Sequence, residues 1–294
     1  MIKYLFSTVS LVVGSAAILS FSSVLQAEQK SDQNEPAMVD LSMMSGPKVD
    51  AADFVQESVE YKDGDFVLEG VLVHQKDASD VKEKLPVILI VHQWMGITVY
   101  EKTRAMQLAD MGYLVLCVDI YGKGQRPKDR GEAGKYAGKY KSDRGLFRSR
   151  LTAGLNKALE YPQADSSKVA AIGYCFGGTG VLELARTGAD LDGVISFHGG
   201  IDSLKPEEGA NIKSKVLVCH GAVDPHVKTE DITAFEKEMI DYDVDWQLIS
   251  YGGAVHSFTQ PMAGNDPSKG AAYDKEADYR SFGHMKQFLN ELFE

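Results

Sequence analysis

Residues 173–178 read Gly-Tyr-Cys-Phe-Gly-Gly and follow the apolar run Val169-Ala170-Ala171-Ile172. Gly-x-nucleophile-x-Gly behind an apolar run predicts a sharp strand-to-helix turn. Such a turn lifts the central side chain above the edge of a sheet and holds its backbone in a strained conformation. A side chain at either glycine would collide with a neighbouring strand or helix. The helix that follows aims its unpaired N–H groups and its dipole at the sulfur, which favours a thiolate. No Gly-x-Ser-x-Gly occurs in the chain, so Cys175 has no serine rival in this motif.

The rest of the pattern agrees with a turn of that kind. Ser58–Gln75 alternates around Asp63-Gly64-Asp65 and predicts a hairpin. Strands are expected at 87–91, 114–118, 168–174, 193–197, 215–220 and 246–251. Helices are expected at 101–111, 145–160, 178–187, 229–240 and 272–293. Alternating strands and helices predict an α/β fold with a mostly parallel central sheet and helices on both faces. Residues 122–144 are rich in Lys, Arg and Gly without core periodicity, and are expected to pass over the carboxyl end of the sheet as a partly helical excursion. With 294 residues, 44% of them hydrophobic, the chain holds enough for one sizeable core over 56–294.

The first residues are different. Leu5 to Leu25 carries no charge and follows Lys3, and Gln26-Ala27-Glu28 ends it. Residues 1–27 are expected to be a signal peptide cleaved after Ala27, giving an exported protein, periplasmic or secreted, without stable membrane insertion. An uncleaved anchor is the alternative. Residues 28–55 are polar and patternless and are expected to be a flexible linker. The net charge of −11 argues against nucleic acid and anionic membranes as partners. Three cysteines are an odd number for an oxidising compartment. Cys117 and Cys219 lie in apolar strands expected on opposite sides of the sheet, beyond the reach of a disulfide.

A nucleophilic cysteine needs a base, and the base an orienting partner. In a parallel sheet both belong on loops after strands. Asp224 follows one expected strand, in Gly221-Ala222-Val223-Asp224-Pro225. His256 follows the next, in Gly252-Gly253-Ala254-Val255-His256. The order Cys175, Asp224, His256 is that of the α/β-hydrolase fold. For an oxyanion, the Phe176 N–H is one expected donor, and the Trp94 N–H of the loop His92-Gln93-Trp94-Met95-Gly96 the other. His92, His198 and His220 are candidates for the pocket lining. His226 belongs to the acid loop, and His74 and His284 read as structural or exposed. No histidine pair has metal-ligand spacing, so neither metal nor cofactor is expected.

These residues resemble the dienelactone hydrolase family (carboxymethylenebutenolidase-like), from about Ser58 onward. The resemblance is carried by His92–Gly96, Asp119-Ile120-Tyr121-Gly122, Gly173–Gly178, Asp224-Pro225 and Gly253–Phe258, with Tyr273, Ala277, Arg280-Ser281 and Phe288-Leu289 in the tail. It implies hydrolysis of small esters or lactones through an acyl-thiol intermediate, by a chain taken as a monomer. The family commonly has glutamate where Gln93 stands. Glutamine can position a thiol or a water but cannot exchange a proton near neutral pH. Two arginines that hold a substrate carboxylate in dienelactone enzymes are also missing. The loop after Tyr121 offers Lys123 and Arg126 instead, and the position four past His256 is Gln260. The alternatives are a binding or redox-sensitive thiol protein on a hydrolase fold, and a peptidase of the same superfamily.

Overall fold

The computed structural model describes residues 41–77 and 83–294. The expected signal peptide and the linker up to residue 40 lie outside the described residues. The compact unit runs Leu41–Glu294.

Eight strands form one sheet: β1 (Phe54–Asp63), β2 (Phe66–Gln75), β3 (Leu85–Val91), β4 (Leu114–Val118), β5 (Ala164–Tyr174), β6 (Gly193–Phe197), β7 (Lys215–Gly221) and β8 (Trp246–Tyr251). Their order is β1-β2-β4-β3-β5-β6-β7-β8. The β1–β2 hairpin and its junction to β4 are antiparallel, and every other pair is parallel. Among the described residues, six helices connect and cover the strands: α1 (Val99–Asp110), α2 (Arg130–Ser142), α3 (Arg144–Leu159), α4 (Phe176–Arg186), α5 (Thr229–Asp241) and α6 (Lys275–Phe293). This is the α/β-hydrolase architecture expected from the sequence.

The period of two along the strands builds two cores. Val87, Leu89 and Val91 of β3 face one side, with Phe147 and Leu151 of α3, Val181 and Leu184 of α4 and Phe235 and Met239 of α5. Ile88 and Ile90 face the other, with Tyr100, Ala105 and Leu108 of α1 and Phe282, Met285 and Leu289 of α6. A strand buried on both faces needs an uninterrupted apolar run, and Val87–Val91 supplies one. After β3 the chain winds to β4 on one side, and from β5 onward it winds the other way. The reversal falls between β3 and β5, where open α/β sheets leave a crevice at their carboxyl ends. Cys117 and Cys219 are buried on β4 and β7, four sheet positions apart, which is about 19 Å at ~4.8 Å per strand.

Two expectations need correction. The part of the linker that is described, 41–55, is docked. Met44 and Phe54 are buried. The Ser45 N–H donates to Asp278 Oδ2 at 2.8 Å, and Arg104 Nη1 donates to the Ser45 carbonyl at 2.7 Å. Gln107 Nε2 reaches the carbonyls of Ser45 and Pro47. The contacts are mostly backbone to side chain, so no apolar period announces them. The 122–144 excursion also has a core face: Ala133, Ala137 and Tyr140 of α2 are buried on one side. Alanine is too small and too common on solvent faces to mark that stripe in the sequence.

Candidate active site

The turn after β5 brings main chain against main chain. A Cβ on Gly173 would lie 2.0 Å from the Gly177 carbonyl oxygen, and one on Gly177 would lie 2.0 Å from that of Val91. Without side chains there, α4 closes directly on β3 and β5. Cys175 sits at the N-cap of α4 with φ 54° and ψ −113°. That conformation is costly for an L-residue other than glycine, on the order of 1–3 kcal/mol.

His256, on the loop after β8, places Nε2 3.0 Å from Cys175 Sγ. Its Nδ1 lies 2.8 Å from Asp224 Oδ2, on the loop after β7. The other Asp224 oxygen accepts the His226 N–H at 2.8 Å. Asp224 is buried and Cys175 half-buried. The three residues that the sequence singles out are therefore one hydrogen-bonded chain.

Charge makes the chain polar. Burial alone would raise the Cys175 thiol, but the charge and hydrogen bond of His256, the Lys141 charge and the Phe176 N–H outweigh it and hold the thiol below its ordinary value. Burial alone would lower His256, but the thiolate and Asp224 hold it well above the usual histidine range. Burial works against the Asp224 carboxylate, but the bond and charge of His256 together with the N–H and charge of His226 outweigh it and hold the carboxyl below its ordinary value. These directions favour a thiolate–imidazolium pair braced by a carboxylate over a neutral thiol beside a neutral imidazole.

The loop 92–96 after β3 forms the facing wall. Thr98 and Glu101 cap α1 reciprocally, and Glu101 Oε1 also accepts the Gln93 N–H at 3.2 Å. His92 is buried and its Nε2 accepts the Ile120 N–H at 3.3 Å, so Nδ1 carries the hydrogen and donates to the Gln93 carbonyl at 2.6 Å. Tyr121 Oη donates to the Trp94 carbonyl at 2.9 Å. The Gln93 side chain is buried, and its Nε2 has no protein partner. Phe176 is locked by rings: Phe147 stacks on it at 4.5 Å, with His92, Tyr121 and Tyr140 around it.

The expected support residues separate. Lys123 is not brought to the site: it is exposed and ion-paired to Glu60 of the edge strand β1. That hairpin lies beyond β4, away from the reversal point, and the Lys123 N–H is bonded to Val67 of β2. Arg126 is a neighbour of the 92–96 loop. Its Cδ lies 3.2 Å from where a Cβ on Gly96 would stand, and Nη1 donates to the Gln125 carbonyl at 2.8 Å. Among the histidines, His198 is buried and donated to by the Cys175 N–H at 3.1 Å. The His226 ring lies 4.9 Å from that of His256 at the solvent edge. His220 is buried, and burial holds it below its ordinary value.

Sequence reasoning missed Lys141, at the end of α2. Its charge favours the Cys175 thiolate, and its Nζ lies 3.7 Å from where a Cβ on Gly200 would stand. The signal was helical phase: Lys141 follows Tyr140, whose ring packs on Phe176. Thr259 and Tyr121 carry no sequence signal of a role here, although Tyr121 stands within Asp119–Gly122.

The comparisons with known proteins agree on kinship. The dienelactone hydrolase family profile matches residues 68–293. A protein of Caenorhabditis elegans described as uncharacterized is 39% identical over 158 residues, which is 52% of this chain and 98% of that protein. The carboxymethylenebutenolidase of Pseudomonas putida is 28% identical over 206 residues, 67% of this chain and 85% of its own. Among solved structures, a dienelactone hydrolase-like promiscuous phosphotriesterase from metagenomic libraries is 38% identical with a TM-score of 0.78, covering 82% of this chain and 100% of that one. With a profile match across most of its length and a sheet and Gly-x-Cys-x-Gly turn to fit, the chain belongs to the dienelactone hydrolase family.

Proposed function

We propose that the protein hydrolyses small esters or lactones with Cys175 as nucleophile and an acyl-thiol intermediate. The observation that carries this is the chain of contacts from Cys175 Sγ through His256 to Asp224, at 3.0 and 2.8 Å. The thiolate attacks the acyl carbon. The carbonyl oxygen takes the negative charge and is held by the N–H groups of Phe176 and Trp94. The tetrahedral intermediate collapses, the C–O bond breaks, and His256 Nε2–H protonates the departing alkoxide. Neutral His256 then takes a proton from water, the hydroxide attacks the thioester carbon, and the C–S bond breaks to restore the thiolate. Asp224 orients His256 and favours its charged form. Gln93 offers an amide donor to the thiol or to a water, and Arg126 lies close enough to the 92–96 loop to meet a polar substrate group.

Intact-protein mass spectrometry during turnover of p-nitrophenyl acetate tests this reading. A transient acetyl adduct on the wild type, absent in Cys175→Ala, with continued product release is the expected result. Unchanged turnover by Cys175→Ala refutes it. Export is part of the proposal. Its test is the N-terminal sequence of the protein recovered outside the cytoplasm, expected to start at Glu28.

A second reading extends the first. The 38% identity to a promiscuous phosphotriesterase over 82% of this chain favours trying phosphotriesters as substrates. The thiolate would attack phosphorus, expel an aryl oxide and leave a phosphorylated sulfur for water to cleave. Release of p-nitrophenol from a dialkyl p-nitrophenyl phosphate, lost in Cys175→Ala, is the outcome that supports it.

A further inference from the structure

Among the described residues, four other than glycine have positive φ: Cys175, His198, Asp243 and Ser257. Asp243 lies just beyond α5. The other three meet at the site, for Ser257 adjoins His256, and His198 touches the backbone of Cys175. Strain of this kind persists only where the surroundings over-determine it. The Cys175 N–H is shared between two acceptors, the Phe197 carbonyl at 2.9 Å and His198 Nδ1 at 3.1 Å. A ring nitrogen thus helps to hold the strained peptide that carries the sulfur.

Hydrogen-bond logic fixes the state of that ring. A backbone N–H can only donate, so Nδ1 must present its lone pair. The hydrogen of a neutral imidazole then sits on Nε2, which faces Thr259 Oγ1 at 2.8 Å. Thr259 Oγ1 lies 2.6 Å from Tyr100 Oη, which also accepts Arg104 Nε–H at 3.3 Å. Arg104 is fixed in turn by Asp278 at 2.6 Å, with both side chains buried. The charges that act on His198 are those of His256, whose ring lies 5.5 Å away, and of Arg104. With burial, they keep the ring neutral. The Phe258 and Tyr174 rings flank it at 5.1 and 6.1 Å.

We propose that His198 is a positioning residue for the nucleophile: its Nδ1 lone pair pins the Cys175 peptide, and Thr259 Oγ1 accepts the Nε2–H of the tautomer that leaves the lone pair free. This rests on the reading of Cys175 as the nucleophile. Without the threonine hydroxyl, Nε2–H is buried with no acceptor. Moving the hydrogen to Nδ1 would set one donor against another at the Cys175 N–H.

The test compares wild type, Thr259→Val, Thr259→Ser and His198→Phe. Three quantities are read: the protonation of the His198 ring nitrogens by ¹⁵N NMR, the pH dependence of Cys175 alkylation by iodoacetamide, and kcat and KM for p-nitrophenyl acetate. In wild type, His198 is expected to stay neutral, with its hydrogen on Nε2, across the pH range in which an ordinary histidine titrates. Thr259→Val and His198→Phe are expected to lower kcat ~10–100-fold with little change in KM, as a misplaced reacting atom does. Both should also shift the acid limb of alkylation to higher pH, whereas Thr259→Ser should restore most of the kcat and the limb. A wild-type His198 that titrates, or that carries its hydrogen on Nδ1, overturns the proposal. So do folded Thr259→Val and His198→Phe variants with wild-type kinetics and alkylation. If wild type does not turn over the ester at all, the hydrolase reading fails, while the NMR and alkylation results still decide the role of His198.

Discussion

Gly177→Ala should damage catalysis out of proportion to its size. The new Cβ would lie 2.0 Å from the Val91 carbonyl oxygen and 2.8 Å from that of His92. Both are backbone atoms, which no rotamer change can move. Relief needs a retreat of about 1 Å between the first turn of α4 and the end of β3, since Cβ contacts below 3.0 Å are not tolerated. One side of that gap carries Cys175 and the Phe176 N–H, and the other leads into Gln93 and Trp94. Overpacking of this kind costs ~1–3 kcal/mol of stability, which is about 2–12 °C in Tm for a domain of this size. A displacement of 1 Å between reacting groups costs ~10²-fold in rate. The expected outcome is therefore kcat for p-nitrophenyl acetate lower by ~10²-fold, KM little changed, and a folded protein by circular dichroism. Gly283→Ala is the control. Gly283 is exposed within α6, and a Cβ there meets nothing within 4 Å. The same chemical change should stabilise by ~0.5–1 kcal/mol through helix propensity, with kcat unaltered. Wild-type kcat and Tm in Gly177→Ala would refute the claim that backbone contact sets the site.

Three further outcomes follow from the same contacts. In the folded protein iodoacetamide should label one cysteine of three: Cys175 is held below its ordinary value, while burial raises Cys117 and pushes Cys219 up to about 12. Peptide mapping with label at Cys117 or Cys219 before denaturation would contradict this. A depressed thiol is ionised at a lower pH than a free cysteine, and the imidazolium beside it persists until the pH rises toward about 10. Asp224→Asn removes a charge that favours that imidazolium, so the acid limb of alkylation should move up and kcat at neutral pH fall ~10²-fold or more; an unmoved limb with full activity would show that Asp224 does not act through His256. Arg186→Met leaves Glu238 buried without the bonds at 2.8 and 2.7 Å that it now makes. Urea denaturation should report a loss of ~3–5 kcal/mol, and a loss below about 1 kcal/mol would mean that Glu238 finds another partner or takes up a proton.

How much of this was legible in the sequence depended on whether the signal was local. Val87–Val91 declared a strand buried on both faces, and the spacing Gly173-x-Cys175-x-Gly177 declared the turn, because sterics act there within a few residues. The acid and the histidine were legible through their order and their position after strands. Partners distant in sequence were not. Lys123 and Lys141 looked alike as loop or helix cations. Only the pairing of Lys123 with Glu60, 63 residues away, and the phase of α2 behind Tyr140 separate them. Residues 41–55 read as linker because their anchors are backbone carbonyls that accept hydrogen bonds from Arg104 and Gln107. His198 was a candidate for the pocket lining, yet its bond to the nucleophile is to a backbone N–H, which no side-chain pattern encodes.

Arg104 has a bearing on the order in which the site can be assembled. It joins Ser45, 59 residues upstream, to Thr259 and Asp278, 155 and 174 residues downstream. Closing loops of that length is slow compared with forming a helix or a hairpin. During synthesis, β5 and the nucleophile turn emerge well before the loop with His256 and before α6 with Asp278, and domains are made from the N-terminus onward. Until those later segments dock, the thiol has neither its histidine nor the braced His198 behind it. If Cys175 acts as proposed, its histidine therefore reaches it only after most of the chain has been made, and a half-folded molecule is expected to carry a cysteine without that activation.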